Sequence, residues 1–485
     1  MNYRLVTRYL GHFSCAIGLL MLPSALCAVF YKEWGALAAL LGSTGVSCLI
    51  GYLLAMAGRN AAPDLYQREG LGVVGMFWIL LAGLGALPYL LSGVFINPAD
   101  AYFECMSGFT TTGASVMTAA SFDTTPKSIL FWRSFTHWLG GMGIIVLSIA
   151  ILPFLGIGGM QLYKAETPSP VVDKLTPRIS DTAQALWKIY IVLTIIQIFL
   201  LMSGGMDWFD SICHTFATMP TGGFSPKNAS VGHYQSVYID FVIVLFMFVA
   251  GMNFSLHYKL VKGNVRQFFR DPEFRSYLFI TAAIILVITI DLYGAAIYKG
   301  IFDACRYAAF QVVSIMTTTG FVTADFEQWP VLSQQLLLLC MFLGSMAGST
   351  GGGIKIMRIV LLLKHCYLEI FRIIHPHATT VVKLGEIPVP QTIMRSIWGF
   401  FLLYVGIYIV ATVAMAALGL DMISSISAVA TCLGNVGPGL GSVGPMDNFS
   451  GVPVLGKWLL IFCMLLGRLE IYTIIVLLMP GFWRK

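Results

Sequence analysis

Residues 103–115 read FECMSGFTTTGAS, and the chain returns to this phrase three more times. It recurs as DSICHTFATMPTGGFS at 210–225, FQVVSIMTTTGFVTADF at 310–326 and DMISSISAVATCLGNVGPGLG at 421–441. Each copy is an amphipathic stretch followed by a turn rich in Thr and Gly, with N-V-G in the fourth in place of T-G. Such a stretch, about 10–14 residues long, is too short to cross a ~30 Å hydrocarbon core but long enough to enter half-way and return. Long apolar runs flank all four, at 71–94 and 128–152, 184–203 and 236–260, 276–297 and 331–375, and 393–418 and 456–480. A further pair, 9–31 and 36–57, precedes them. Basic Arg4 and Arg8 stand before the first run as they would before a signal peptide. The run is long, however, and no small-residue cleavage site separates it from the second, so both are read as retained spans.

The expected fold is an all-α polytopic membrane protein. It has ten transmembrane helices, with an N-terminal two-helix hairpin (1–65) and four parallel span–pore-helix–span repeats (66–155, 180–262, 275–376 and 390–485) around a central pore. A unit that crosses twice re-enters with the same orientation, so successive units can close around an axis along the membrane normal. Inverted repeats, common in secondary transporters, need an odd number of crossings per unit.

Composition agrees. The 485 residues are 57% apolar and 11% charged, with mean hydropathy +0.81, whereas a soluble domain carries about 25% charged residues. The solvent is lipid, where unpaired backbone groups are intolerable and spans must be helices. With the N-terminus cytoplasmic, 21 of the 29 Lys/Arg fall on cytoplasmic segments, among them Lys259, Lys262, Arg266, Arg270 and Arg275. That bias sets the orientation and puts both termini in the cytoplasm. The basic residues cluster on no one domain, so the net charge of +6 does not point to nucleic acid. Ten scattered cysteines without C-x-x-C and eight unclustered histidines suggest neither a disulfide framework nor a metal–side-chain site.

Non-helical backbone at membrane depth survives only where protein or water covers it. Four Thr/Gly turns converging on one axis meet that condition, and a ring of their carbonyl oxygens can replace the hydration shell of K⁺. Glycine suits such a turn because it accepts backbone angles closed to other residues and adds no side chain. The short helices would aim their partly negative C-terminal ends inward, which favours cations.

These loops, the broken helix described next and the extra N-terminal pair together resemble the Trk/Ktr/HKT superfamily of K⁺ transporters, in its bacterial TrkH type, over essentially the whole chain. The resemblance implies uptake of K⁺, and of Rb⁺, across the bacterial inner membrane, with K⁺ as the bound permeant ion and no organic cofactor. It implies K⁺ held by carbonyls just before each filter glycine. Those residues are Thr111 and Thr112 before Gly113, Pro220 and Thr221 before Gly222, Thr318 and Thr319 before Gly320, and Asn435 and Val436 before Gly437. Gly223 competes with Gly222, and Gly434 and Gly439 compete with Gly437, which is preferred because N-V-G reads most like T-V-G. The resemblance further implies a homodimer in the lipid bilayer and a cytosolic nucleotide-binding TrkA-type regulatory ring.

Forty-five residues, 331–375, would run roughly 65 Å as one straight helix, far beyond a bilayer. The run must break, and glycines at 344, 348, 351, 352 and 353 mark where. A phosphate-binding G-x-x-x-x-G-K loop needs Lys at 354; Ile354 stands there, Lys355 comes one place late, and no strand precedes it. The expected role of Gly348, Gly351, Gly352, Gly353 and Lys355 is a gate lying beneath the filter. Arg468, near the middle of the last span, costs ~2.5–3.5 kcal/mol at a bilayer centre. It is expected either to form a positive barrier in the permeation path or to pin helices by pairing with carbonyls or Glu470. The competing function is an ion-coupled secondary cation transporter. The chain carries no H-E-x-x-H, no Ser/His pairing and no metal-ligand spacing that would suggest an enzyme.

Overall fold

A computed structural model describes residues 1–60, 67–150, 179–378, 380–385, 387–469 and 471–483. It is almost entirely helical. The sole sheet among the described residues is the two-residue antiparallel pair Lys383–Leu384 and Ile387–Pro388. Among the described residues six helical runs are long and apolar enough to cross a membrane: Tyr3–Phe30, Trp34–Ala57, Arg68–Leu91, Ala183–Ser203, Pro272–Gly294 and Gln391–Ala417. A seventh is added if Val237–Ala250 and Phe254–Val261, bent by 99°, count as one span.

The remaining long apolar runs of the sequence also form helices, but polar or interrupted ones. Lys127–Ala150 carries buried Arg133 and His137. The run from 331 divides into Val331–Cys340 and Ile356–Ile374. The last divides into Val454–Arg468 and Ile471–Leu478. The bend in 237–261 was not expected. Gly251 ends the first half and Asn253 caps the second, its Oδ1 accepting the Ser255 N–H at 2.8 Å, which starts a new helix in a new direction.

The N-terminal hairpin packs through small residues. A Cβ on Gly11 would lie 2.4 Å from the Ala55 nitrogen, and one on Gly51 would lie 2.5 Å from Cys15 Sγ. Close backbone approach of this kind holds helices together where lipid removes the hydrophobic drive.

The apolar cores lie between adjoining units, the first and last included. One joins the hairpin, residues 74–135 and residues 400–474. A second joins 183–254 to Phe310, Val313 and Phe321, and a third joins 288–341 to Ala430, Val436 and Leu440. Each short helix is thereby enclosed by protein. These helices, Pro98–Phe109, Trp208–Thr218, Ile301–Met316 and Met422–Gly434, start on Asn97, Asp207, Gly300 and Asp421. Three of those four caps accept a first-turn N–H through the side chain.

Candidate functional site

All four short helices end alike. Thr111 N–H donates to Gly108 O (3.1 Å) and Thr112 N–H to Ser107 O (2.9 Å). Thr221 and Gly222 repeat the pair on Thr218 and Ala217 (2.9 and 2.8 Å), and Thr318 and Thr319 repeat it on Ile315 and Ser314 (3.0 and 2.8 Å). In the fourth, Val436 N–H reaches Thr431 O at 2.8 Å. These are Schellman-type closures, which need a left-handed residue just past the helix. Glycine usually takes that place. Here it is held by Thr111, Thr221, Thr318 and Asn435, with φ of 51°, 55°, 59° and 55°. A β-branched residue at positive φ is a genuine outlier, and each such residue costs about 1–3 kcal/mol. Three strained threonines at equivalent positions make these loops the candidate site.

Two residues on, Gly113, Gly223, Gly320 and Gly437 have φ of 82°, 80°, 78° and 106°. This pattern corrects the second loop. Thr221, Gly222 and Gly223 align with Thr111, Thr112 and Gly113, so the expected trio Pro220, Thr221 and Gly222 runs one residue early. Gly222 is not left-handed; it lies flat on His137, where a Cβ would meet Nδ1 at 2.4 Å. In the fourth loop Gly437 alone of the three candidates has positive φ.

The loops meet in sequence order. A Cβ on Gly113 would lie 2.2 Å from Gly222 O, one on Gly223 1.9 Å from Thr319 O, one on Gly320 2.0 Å from Val436 O, and one on Gly437 2.9 Å from Thr112 O. Each glycine thus abuts the carbonyl preceding the next loop's glycine, and the fourth returns to the first. The four glycines share one open vestibule, walled by Ser225, Lys227, Arg133 and Asp447 among others.

Polar ties link the same neighbours around the vestibule. Arg133 bonds Glu104 (2.6 Å) in the first unit and Ser225 O (3.0 Å) in the second, and its guanidinium lies 3.5 Å from the Phe224 ring centroid. Glu104 also accepts from Ser115 Oγ and Val116 N–H (2.9 and 2.8 Å), fixing the strand that leaves the first loop. Asp240 pairs with Arg306 at 2.7 Å, the Gly441 N–H donates to Glu327, and Lys457 pairs with Asp100 at 2.6 Å.

On the other side of the loops lies 341–355, the break between Val331–Cys340 and Ile356–Ile374. Its backbone groups are satisfied by the bend of 237–261. Met346 N–H donates to Gly251 O and Phe254 N–H to Gly348 O, both at 3.0 Å. Two interrupted helices thus satisfy each other, as irregular backbone at membrane depth requires. The segment also touches the left-handed residues themselves. Gly352 N–H donates to Thr318 Oγ1 (2.7 Å), Thr350 Oγ1 lies 3.3 Å from Thr221 Oγ1, and a Cβ on Gly352 would lie 2.8 Å from Asn435 Oδ1. A Cβ on Gly351 would meet Thr317 O at 3.0 Å. Gly348 and Gly353 are left-handed, at 72° and 67°. Lys355 Nζ donates to Gly351 O across the turn. Arg468, buried at 5% exposure, donates from Nη1 to Thr350 O (2.5 Å) and from Nη2 to Gly140 O (3.3 Å). The gating residues named from sequence therefore do come together. Glu470, the other partner considered for Arg468, lies outside the described residues.

Three participants went unread in the sequence. Nothing in the sequence sets Arg133 apart from other basic residues, and Asn253 falls inside the apolar run 236–260. Thr350 was hidden in a glycine run, although it is the residue that Arg468 and Met219 O (3.1 Å) both hold.

Comparison with known proteins returns one family. The model for TrkH, cation transport protein, matches residues 44–484. The chain is 42% identical over 488 residues to the Trk system potassium uptake protein TrkH of Escherichia coli K12, covering 100% of both. It is 43% identical over 490 residues to the protein of that name from Vibrio parahaemolyticus, again covering 100% of both. The crystal structure of the potassium transporter TrkH from Vibrio parahaemolyticus superposes with a TM-score of 0.90 at 40% identity, covering 100% of each chain.

Proposed function

Because the chain belongs to the TrkH family of cation transport proteins, we propose that it is a ten-span, four-repeat K⁺ uptake pore of the bacterial inner membrane that also passes Rb⁺. In this reading the filter carbonyls belong to Thr111 and Thr112, Thr221 and Gly222, Thr318 and Thr319, and Asn435 and Val436, each pair preceding its glycine. The observation that carries it is the closed cycle of glycine-to-carbonyl approaches among the four loops. Carbonyls packed around one axis, with no side chain between them, are what dehydration of K⁺ needs. The vestibule above the glycines is the outer mouth, and both chain termini are cytoplasmic. Segment 341–355 is the gate, held beneath the filter by Thr318, Thr350 and Arg468. The pore works as a homodimer, and the basic segments 259–275 and 355–383 receive a TrkA-type ring.

The test is ion flux into liposomes holding the full chain, comparing K⁺, Rb⁺, Na⁺ and Li⁺ at imposed voltages. Flux of K⁺ and Rb⁺ that follows voltage, with Na⁺ and Li⁺ excluded, is expected. Flux that needs a second ion's gradient would instead mean a coupled transporter. The filter register has its own test. Gly113→Ser pushes a side chain toward Gly222 O, so Na⁺ permeation should rise relative to K⁺; unchanged selectivity removes the assignment.

A further inference from the structure

Glu273 is 4% exposed, belongs to no ion pair described above and stands far from the loops in sequence. It is the second residue of Pro272–Gly294, where a glutamate ordinarily faces solvent and favours its own helix's N-terminus. That task is already done by Asp271, whose Oδ1 accepts the Phe274 N–H at 2.9 Å. The Glu273 carboxylate is thus available to a neighbour. Its Oε1 accepts the N–H of fully buried Ala347 at 2.7 Å. Lys355 and Asp271 are the charged groups that face it.

Ala347 stands just before the glycine run 348–353, so the carboxylate grips the arm that descends into it. Met346 on that arm and Ile356 beyond the run pack with Phe274 and Tyr277 from Glu273's own helix. Burying a carboxylate is costly unless donors satisfy it, so the carboxylate and the arm it bonds hold each other in place.

We propose that Glu273 is a positioning residue of the gate, acting through the Ala347 N–H to hold 341–355 under the filter. This rests on the reading of that segment as the gate. Glycine-rich backbone has little preference of its own, so its position is set by its tethers. Thr318 and Arg468 hold the tip, and Glu273 holds the base. Without the base tether, the tip samples positions away from the pore axis and basal flux rises.

The experiment measures initial Rb⁺ uptake by liposomes containing the full chain alone. The proteins are wild type, Glu273→Ala, Glu273→Gln, a deletion of 348–353, and the deletion combined with Glu273→Ala. Glu273→Ala should raise basal flux about tenfold or more, the ratio that corresponds to losing one charge-assisted hydrogen bond. Glu273→Gln, whose amide oxygen still accepts from Ala347, should raise it less. Glu273→Ala should add nothing to the deletion, because residues that act through one element are not additive. Wild-type flux from both point variants, beside a raised flux from the deletion, overturns the role of Glu273 and leaves the gate standing. An additive increase in the combined variant overturns it too, since Glu273 would then act elsewhere. If Glu273→Ala does not reconstitute, wild-type flux from Glu273→Gln is sufficient to overturn it. A deletion without effect removes the gate reading itself.

Discussion

The helix that precedes each short helix differs from the helix that follows it. The preceding ones, 68–91, 183–203, 272–294 and 391–417, are apolar enough to serve as spans by themselves. They turn large side chains outward: Phe199, Phe279 and Val410 are 66%, 75% and 71% exposed. The following ones are each flawed in their own way. The first buries Arg133 and His137, the second bends by 99°, the third is broken over 341–355 and the fourth is interrupted after Arg468. A continuous helix uses up its own backbone groups and offers a neighbour only side chains. An interrupted one releases N–H and carbonyl groups, and in this molecule those groups make the contacts beneath the loops. The irregular helices meet beneath the loops, and the regular ones present their large side chains outward.

The largest effect that would sharpen this contrast lies where the loops touch. Gly320→Ala would place a Cβ 2.0 Å from Val436 O on a residue with φ of 78°. Two strain terms of about 1–3 kcal/mol each predict at least a tenfold loss of K⁺-over-Na⁺ selectivity. Val410→Ala and Phe279→Leu on the outward faces of the regular helices should leave uptake within about twofold. Equal effects from the two classes in parallel flux assays would erase the distinction.

Arg468→Ala comes next. It frees Thr350 O and removes a positive charge below the filter, so basal conductance should rise several-fold. A reduced conductance in a protein that still folds would show that Arg468 only pins helices.

Arg133→Gln concerns stability, with selectivity and conductance expected to change little. It leaves Glu104 buried without its cation, a change costing about 3–5 kcal/mol. The melting temperature in detergent should fall, and the double variant Glu104→Gln/Arg133→Gln should recover part of the loss. A melting temperature that does not move would mean that the pair is solvated.

The smallest effect is a pH dependence at the vestibule. Burial holds the Glu327 carboxyl above the usual carboxylate range, with the Gly441 N–H opposing and Asp325 and Asp447 adding to the rise. The folded protein therefore binds this proton more tightly than the unfolded chain does. Between the raised value and the ordinary one, stability increases as pH falls. Wild type should thus gain melting temperature relative to Glu327→Gln as pH falls from 7 toward the ordinary value of 4.5; a constant difference would refute it.

Much of this contrast was legible in the sequence because it rests on length and glycine. A 45-residue run cannot stay one straight helix in a bilayer, and a T-T-G turn after a half-length helix announces itself. The second loop misled because Gly222 and Gly223 are adjacent; only backbone angles reveal which is left-handed. The bend at 251–253 carried no proline and a single glycine, so periodicity ran straight through it. Glu273 looked like an unremarkable first-turn acid, since nothing local says that a carboxylate will bond to an amide 74 residues away.

The cycle of loops has one more consequence. Its four members are covalently joined in the order in which they touch, so each closing contact forms at the high effective concentration of a tethered neighbour. Dilution cannot scatter them, and no wrong stoichiometry can arise. A substitution in one loop appears once in the ring rather than four times, which leaves Asn435 free to stand where the other three loops keep threonine.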